Sequence, residues 1–394
     1  MNKHVLFIVE NNAAPHDARV WPEALVAKNN GYDVTIISPE NELVQGKFEV
    51  IDGIEIYRHP KSFKASGKTS FIFEYLNATF WEFFLSLRVY KNKSFQIIHG
   101  ANPPDFLFIL AIFYKLFGVK FIFDHHDLSP ELYLAKFSRE KDLVFRMLNI
   151  FEKISCKLAD AIISSNASYK KIVINRHFVE PEKVFVVRND PKLENFCIEK
   201  YSQNKARHKK NLLFLGSIGY QDGVDNLLKA LHYLVYELEE KDFICHVIGG
   251  GEALPMAQEL AKELNLESYV DFTGLILGRN HIVKYLNGAD ICLEPAPDSE
   301  VNRHSTFIKV MEYMASGKPI VAFDLTETRF STNNSAILIE PGNIKKFALG
   351  IKELMDKPEL RHTLGAKGLE RIRKTLNWET ASLNLKRAYD SLAL

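Results

Sequence analysis

Cysteine is scarce. Only Cys156, Cys197, Cys245 and Cys292 occur in 394 residues, far apart and without a C-x-x-C pair. That excludes a disulfide-built scaffold and reads as free, buried thiols in a reducing compartment. Charge of one sign is missing too: 50 Lys and Arg face 49 Asp and Glu, a formal net charge of +1, so no basic excess calls for nucleic acid. Long apolar runs are absent. The longest, Phe106 to Tyr114, ends at Lys115 and is half the ~18 residues of a membrane span. Val5–Val9, next to the N-terminus, is too short for a signal-peptide core and lacks a small-residue cleavage site. The expected location is cytoplasmic. After that first strand-like run stands Glu10-Asn11-Asn12-Ala13-Ala14-Pro15 instead of G-x-G-x-x-G, which counts against a nicotinamide dehydrogenase. No internal repeat or low-complexity tract is visible.

What is present is regular alternation. Apolar residues make up 46% and charged residues 25% of the chain, an ordinary globular composition, and the length suits two or three domains. Val5–Val9, Asp33–Ile37, Gln96–His99, Lys120–Asp124, Ala161–Ser164 and Val184–Val187 read as strands. Helices are expected over Ala18–Lys28, Pro103–Phe117 (capped by Asn102, with Pro103 first and Asp105 in the first turn) and Lys141–Leu158. The pattern breaks at Arg188-Asn189-Asp190-Pro191, and the polar stretch Glu199 to Lys210 reads as a linker. Strands resume at Leu212–Leu215, Phe243–Ile248, Val270–Phe272, Ile291–Glu294 and Ile320–Phe323, and from Ile344 the tail reads as helices only. Two successive β-α-β series predict an α/β chain with two doubly wound parallel sheets. Ligands of such sheets bind beyond the carboxyl ends of the strands, so one cleft between two domains is expected.

Several segments carry candidate chemistry. His16-Asp17-Ala18-Arg19 follows the first strand, where an acceptor could be held; the alternative is a helix cap at Asp17 and a surface charge at Arg19. His99 and Asn102 end another strand. Gly249-Gly250-Gly251 is a glycine cluster or merely a tight strand-to-helix turn. Phe73, Leu76, Phe80, Phe83, Phe84 and Leu87 recur at helical spacing, giving either a core-facing helix or one that also touches a membrane surface or lipid-linked substrate. Most informative is Ala289-Asp290-Ile291-Cys292-Leu293-Glu294-Pro295 continuing to His304-Ser305-Thr306-Phe307-Ile308-Lys309-Val310-Met311-Glu312-Tyr313-Met314-Ala315-Ser316-Gly317-Lys318-Pro319. It reads as a buried strand, a loop, and a helix from about Ser305 to Ser316 stopped by Gly317. Ser305, Lys309 and Glu312 would share one polar face, and the helix N-terminus would suit a phosphate.

This last segment resembles the donor-binding signature of retaining glycosyltransferase family 4. Phe214-Leu215-Gly216-Ser217-Ile218-Gly219-Tyr220-Gln221-Asp222-Gly223 is similar to the opening of that family's second domain. Val270-Asp271-Phe272-Thr273-Gly274 resembles its base-binding turn. Phe123-Asp124-His125-His126-Asp127-Leu128-Ser129-Pro130-Glu131 resembles its active-site histidine segment. The match runs in order along nearly the whole chain. It implies a GT-B fold: two Rossmann-like domains over 1–188 (acceptor) and 189–375 (donor), facing across a cleft, with 376–394 as a helix packing back on the first.

The resemblance implies that Glu312 holds the nucleotide ribose and that His126 lies beside the donor sugar, with His125 a rival. It gathers Gly216, Ser217, Gly250, Gly274 and Leu275 at the donor, with Arg303, His304, Ser305, Thr306 and Lys309 completing that site. His16, Asp17, Arg19, Asn102 and Asp127 would serve the acceptor. His126, Lys309 and Glu312 are the expected catalytic set.

Two features depart from the family pattern. The first Glu of E-x7-E is His304, and the usual basic pair near the diphosphate falls on Ser217 and Asp222. A bacterial surface-polysaccharide branch is similar in its Gln-Asp-Gly turn and its Ser-Thr…Lys…Glu-Tyr-Met-Ala helix. No D-x-D carboxylate pair occurs, so no metal and no cofactor are expected, and Lys309 with Arg303 and the Ser305 and Thr306 amides would replace the basic pair. The expected activity is retaining transfer of a UDP-linked hexose or N-acetylhexosamine to a polyprenyl-diphosphate-linked or surface-glycan acceptor, with peripheral contact at the inner membrane face. A GT-B-type epimerase or phosphorylase, or a silent nucleotide-sugar-binding homologue, are the alternatives.

Overall fold

The computed structural model describes residues 3–41, 44, 46–60, 68–137, 140–196, 209–276 and 278–392. Cys197 and nearly all of the linker stretch Glu199 to Lys210 lie outside them. The chain forms two compact units, Met1–Asn189 with Thr380–Leu394, and Asp190–Glu379.

The first unit holds strands β1 (His4–Ile8), β2 (Asp33–Pro39), β3 (Phe48–Ile51), β4 (Ile54–His59), β5 (Ile97–Ala101), β6 (Lys120–His125), β7 (Ala161–Ser164) and β8 (Val184–Val186). Their order in the sheet is β3-β4-β2-β1-β5-β6-β7-β8. All neighbours are parallel except the β3–β4 hairpin. Helices α1 (Val20–Asn29), α2 (Lys68–Asn92), α3 (Phe108–Lys115), α4 (Ser129–Phe137), α5 (Leu143–Leu158) and α6 (Ala167–His177) make the connections. Every residue of β1, β5 and β7 is buried, as a parallel sheet covered on both faces requires. The order reverses between β1 and β5, so the switch point lies beyond their carboxyl ends.

The second unit is all parallel. Its strands are β9 (Lys210–Leu215), β10 (Phe243–Ile248), β11 (Val270–Gly274), β12 (Ile291–Glu294), β13 (Ile320–Phe323) and β14 (Ala336–Ile339), in the order β11-β10-β9-β12-β13-β14. Helices α7 (Val224–Tyr236), α8 (Leu254–Glu263), α9 (Arg279–Gly288), α10 (Glu300–His304), α11 (Ile308–Ala315), α12 (Thr326–Thr332), α13 (Ile344–Asp356) and α14 (Pro358–Lys374) surround it. Leu212 and Phe214 join one core and Leu213 and Leu215 the other, so alternation along β9 serves both faces. The switch point lies between β9 and β12. A final helix, α15 (Trp378–Asp390), sends Asn384 Nδ2 to the Val186 carbonyl (3.0 Å) and Tyr389 Oη to His99 Nδ1 (2.8 Å).

Three sequence expectations are corrected. The helix from Ser305 to Ser316 is two helices, α10 and α11, broken at Ser305–Phe307. Asn102 caps no helix at Pro103: the peptides into Pro103 and Pro104 are cis, a single 3-10 turn covers Asp105–Leu107, and α3 starts at Phe108. The β3–β4 hairpin was not expected, nor were α4 and β14.

Candidate active site

In the second unit the site grows from the carboxyl ends of the two strands that flank the switch point. β9 runs out at Gly216, whose φ of 140° and close neighbours suit only glycine. A Cβ there would sit 2.9 Å from Lys309 Cε. The next glycine turn stacks backbone on backbone: Gly216 N–H donates to the Ile248 carbonyl (2.9 Å), Ile218 N–H to Gly250 (3.0 Å), and a Cβ on Gly249 would meet the Gly216 carbonyl at 1.7 Å. Gly250 therefore belongs to a tight strand-to-helix turn that shapes the floor beneath Gly216 and exposed Ser217. Gly274 follows on β11 with φ 74°, and Leu275 beyond it is 75% exposed.

β12 ends at Glu294, which is fully buried. Its Oε1 accepts from the Ala296 amide (3.1 Å), and its Oε2 lies 3.2 Å from Lys309 Nζ. Lys309 comes from the first turn of α11, also reaches Asp222 Oδ1 at 3.5 Å, and lies over the Phe214 ring at 4.3 Å. Asp222 in turn accepts the Gly219 amide (3.0 Å), so the Gln221-Asp222-Gly223 turn is tied to the lysine. Burial raises the Glu294 carboxyl above its usual range, and Lys309 opposes that rise. Lys309 is thus a shared cation held between two carboxylates, whereas the sequence placed it on an open polar face.

Glu312, one turn further on, takes a hydrogen bond from Arg279 Nη1 (2.6 Å). Burial raises its carboxyl and Arg279 opposes this. Arg279 itself lies over the Phe196 ring at 4.5 Å. The remaining expected donor groups are rearranged. Arg303 is 53% exposed and engaged bidentately by Asp298 (2.5 and 2.9 Å). The Ser305 amide and hydroxyl both donate to the Val301 carbonyl (3.0 and 2.8 Å), so Ser305 closes α10 and its N–H is not presented to an anion. Thr306 lies in the turn between helices, and His304 is the last residue of α10. The proposed anion cradle at Ser305 and Thr306 is therefore displaced: α11 begins three residues later than expected.

In the first unit, Asp124 and His126 flank His125 at the end of β6. Asp124 receives the Arg19 guanidinium on both oxygens (2.8 and 2.6 Å). Arg19 also reaches Glu23 (3.4 Å), the Val187 carbonyl (3.1 Å) and Asn189 Oδ1 (2.6 Å), and is 5% exposed. Arg19 is therefore neither a surface charge nor an open acceptor ligand. Its fork is spent inside the unit, and the carboxylate it faces is held far below the usual range against the cost of burial. Asp17 Oδ1 accepts the Arg19 and Val20 amides (2.9 and 2.6 Å), the cap reading. His16 is exposed and Asp127 half-buried.

His126 Nδ1 lies 3.4 Å from Asp124 Oδ2. Burial lowers its pKa, but the Asp124 carboxylate outweighs burial and the net direction is upward. Fully buried Asn102 Oδ1 accepts the amides of both His126 and Asp127 (2.9 and 3.1 Å), while its Nδ2 donates to Asp105 Oδ1 (3.0 Å) and the Asp127 carbonyl (2.8 Å). Asn102 thus clamps the histidine loop. His125 points the other way, bonded at Nε2 to Glu152 (2.7 Å), which also holds His177 and Arg176. It is a core group. His99 is equally buried, stacked on Phe7 at 4.4 Å, with burial pushing its pKa down to about 4.

Sequence reasoning missed Glu294 and Arg279 as site members. A glutamate ending a wholly apolar strand was the available signal for Glu294. Nothing in the local pattern marked Arg279.

Two doubly wound units, each with polar groups gathered at its switch point, fit the GT-B architecture, and the family models give the class. Residues 23–189 match the family model described as Glycosyltransferase Family 4, and residues 209–357 match that described as Glycosyl transferases group 1. The chain belongs to this glycosyltransferase group. An uncharacterized glycosyltransferase of Methanocaldococcus jannaschii is 22% identical over 93% of this chain and 92% of its own. A chitobiosyldiphosphodolichol beta-mannosyltransferase of Debaryomyces hansenii is 22% identical over 70% of this chain and 63% of its own. Among solved structures, sucrose-phosphate synthase from Thermosynechococcus elongatus superposes with a TM-score of 0.79 at 17% identity over 99% of both chains. Anabaena HepE in complex with UDP-glucose does so with a TM-score of 0.70 at 13% identity, over 98% of this chain and 99% of its own.

Proposed function

We propose that this glycosyltransferase moves a hexose or N-acetylhexosamine from a UDP donor, with retention at the anomeric carbon, to a lipid-linked or surface-glycan acceptor, and that it does so without a metal ion. The observation that carries the reading is Lys309, held against Glu294 at the β9–β12 switch point beneath Gly216, with Glu312 one turn along the same helix. Cleaving the sugar–phosphate bond leaves negative charge on the diphosphate. Lys309 has three N–H donors and offers one to that charge, while Glu294 and Asp222 keep it aimed. Glu312 takes the ribose hydroxyls in place of Arg279. His126, by family resemblance, orients the transferring sugar and polarises the transition state, with the leaving phosphate assisting acceptor deprotonation.

Two of the names support the substrate classes. One solved relative was captured with UDP-glucose, and one sequence relative is named for a dolichol-diphosphate acceptor. No helix among the described residues is long and apolar enough to cross a membrane. Phe73, Leu76, Phe80, Trp81 and Phe84 on α2 are exposed, which supports peripheral contact at the inner membrane face. Calorimetry with UDP, GDP and ADP tests the donor reading. UDP should bind most tightly, and no binding by any of the three, or a preference for another nucleotide, overturns it.

A further inference from the structure

Asp124 stands at the carboxyl end of β6, is fully buried, and is engaged from two sides. From one side the Arg19 fork takes both oxygens, Nε on Oδ2 (2.8 Å) and Nη2 on Oδ1 (2.6 Å). From the other, the His126 ring turns Nδ1 towards Oδ2 at 3.4 Å. Oδ2 is therefore shared between a cation that fixes it and a ring that faces it. Stability accounts for the first contact alone, since an Arg–carboxylate pair needs no histidine.

The charges of the cluster decide which nitrogen of the ring holds the proton. Glu23 lies 3.4 Å from Arg19 Nη2, but burial, with the Asp124 charge beside it, raises its carboxyl well above the usual range. Glu23 thus keeps its proton, and the guanidinium serves Asp124, which is held far below the usual range. An ionised carboxylate accepts and never donates. The ring nitrogen facing it is therefore the protonated one, and in the neutral ring Nε2 carries the lone pair. Nε2 has no hydrogen-bond partner among the described residues, and the side chain is 16% exposed. The backbone of His126 is held separately, its amide on Asn102 Oδ1 (2.9 Å). Asn102 sets where His126 stands, and Asp124 sets how its ring is turned.

On the reading that places His126 beside the donor sugar, we propose that Asp124, clamped by Arg19, is the positioning residue of His126: it fixes the Nδ1–H tautomer and the plane of the ring, so that Nε2 accepts a hydrogen bond from a hydroxyl of that sugar. Neutral imidazole is then the working form. The charged and titratable groups around the ring are Asp124 and Asp127 of its own segment, Arg19 and Glu23 at the start of α1, and His99 of β5. Burial and Arg19 lower the pKa of the ring, Asp124 and Asp127 raise it, and the net direction is upward. Turnover therefore rises with pH through the His126 titration, and removing the Asp124 charge moves that rise to lower pH.

The test uses the full chain as wild type, Asp124→Asn, His126→Ala and the double variant. Asparagine keeps the shape but turns an NH2 group towards either Arg19 or the ring. In Asp124→Asn the Arg19 fork still has Glu23, the Val187 carbonyl and Asn189, and circular dichroism reports whether the fold survives. Nitrogen-15 NMR of the histidine-labelled wild type, with the His126 signals assigned by their loss in His126→Ala, should show Nδ1 protonated and Nε2 bare above the ring's titration. Kinetics use a polyprenyl-diphosphate-linked glycan and the fastest donor of a panel of UDP-hexoses and UDP-N-acetylhexosamines. Asp124→Asn should lower kcat by about tenfold or more in the wild-type background and by about twofold or less in the His126→Ala background. The acid limb of the pH–kcat profile should move to lower pH in Asp124→Asn. A bare Nδ1 in the wild type overturns the proposal, whether or not Asp124→Asn folds. An equal loss of kcat in both backgrounds, or an acid limb that stays in place in a folded Asp124→Asn chain, overturns it as well. Full turnover in His126→Ala, with Nδ1 still protonated in the wild type, overturns the placing of His126 beside the sugar and this role with it.

Discussion

Lys309 Nζ lies 3.2 Å from Glu294 Oε2, joining the first turn of one helix to the end of a buried strand. Neither group is independent. Removing the buried lysine would strand the two carboxylates that face it. The two positions therefore act together. Lys309→Ala should lower turnover by about 10²–10³, and Lys309→Arg should recover little of it, because the fork does not fit beneath Gly216. Glu294→Gln should leave the fold intact and reduce turnover less. Steady-state kinetics on all three check this. Near-normal turnover in Lys309→Ala would remove it from the diphosphate. Stimulation of the wild type by added Mg2+ or Mn2+ would point instead to Asp222 as a metal ligand.

On the proposed reading, Arg279, which donates to Glu312 at 2.6 Å, competes with the ribose for that carboxylate. Glu312→Gln should weaken donor binding by about 1–3 kcal/mol, the scale for hydrogen bonds to a charged group. Arg279→Ala frees the carboxylate that Arg279 engages at 2.6 Å, so it should leave donor affinity equal or better. Calorimetry decides. Unchanged affinity in Glu312→Gln takes this residue out of the site.

Arg19 carries stability. Removing one partner of a buried, bidentate pair strands the other charge, at a cost of about 3–5 kcal/mol. Arg19→Ala should therefore lower the denaturant midpoint strongly. An unchanged midpoint with a raised acceptor KM would restore the acceptor role that the sequence suggested.

His126 has a pH signature with a definite sign. Burial lowers its pKa, but Asp124 raises it further, so the folded value lies above the unfolded one. Its stabilising contribution is full below the unfolded value of about 6.5 and is lost as pH rises through the folded value. The stability gap between wild type and His126→Ala should narrow as pH rises above about 6.5, in chemical denaturation at several pH values. His126→Ala should also cut turnover far more than donor affinity. A variant at His125 should instead disturb folding, because His125 is tied to Glu152 at 2.7 Å. If His125→Ala folds normally and loses only turnover, the two roles are exchanged.

Much of the architecture was legible because buried parallel strands are continuous apolar runs. Ala161–Ser164, Phe243–Ile248, Ile291–Glu294 and Ile320–Phe323 were placed to the residue. The β3–β4 hairpin was readable but unread. Asp52 and Gly53 form a D-G pair with φ of 49° and 69°, the positive pair a tight hairpin turn needs, between short strands of mixed polarity. The break at Ser305–Phe307 was hidden because His304 to Ser316 keeps helical spacing across it. At the site, spacing marked Lys309 and Glu312. It could not show that Lys309 turns inward, since its partners Asp222 and Glu294 are distant in sequence and meet it only when β9 and β12 pair. Arg19 was misjudged for the same reason: its partner Asp124 is 105 residues away.

The most direct test of the account is acceptor-dependent release of UDP. The purified chain is incubated with UDP-hexoses and UDP-N-acetylhexosamines, with and without a polyprenyl-diphosphate-linked glycan, and the product is read by mass spectrometry and by NMR of its new anomeric centre. The account predicts UDP release only with acceptor, a glycolipid heavier by one sugar, and an anomeric configuration equal to that of the donor. Release without acceptor, conversion of the donor into another sugar nucleotide, or an inverted product would contradict it.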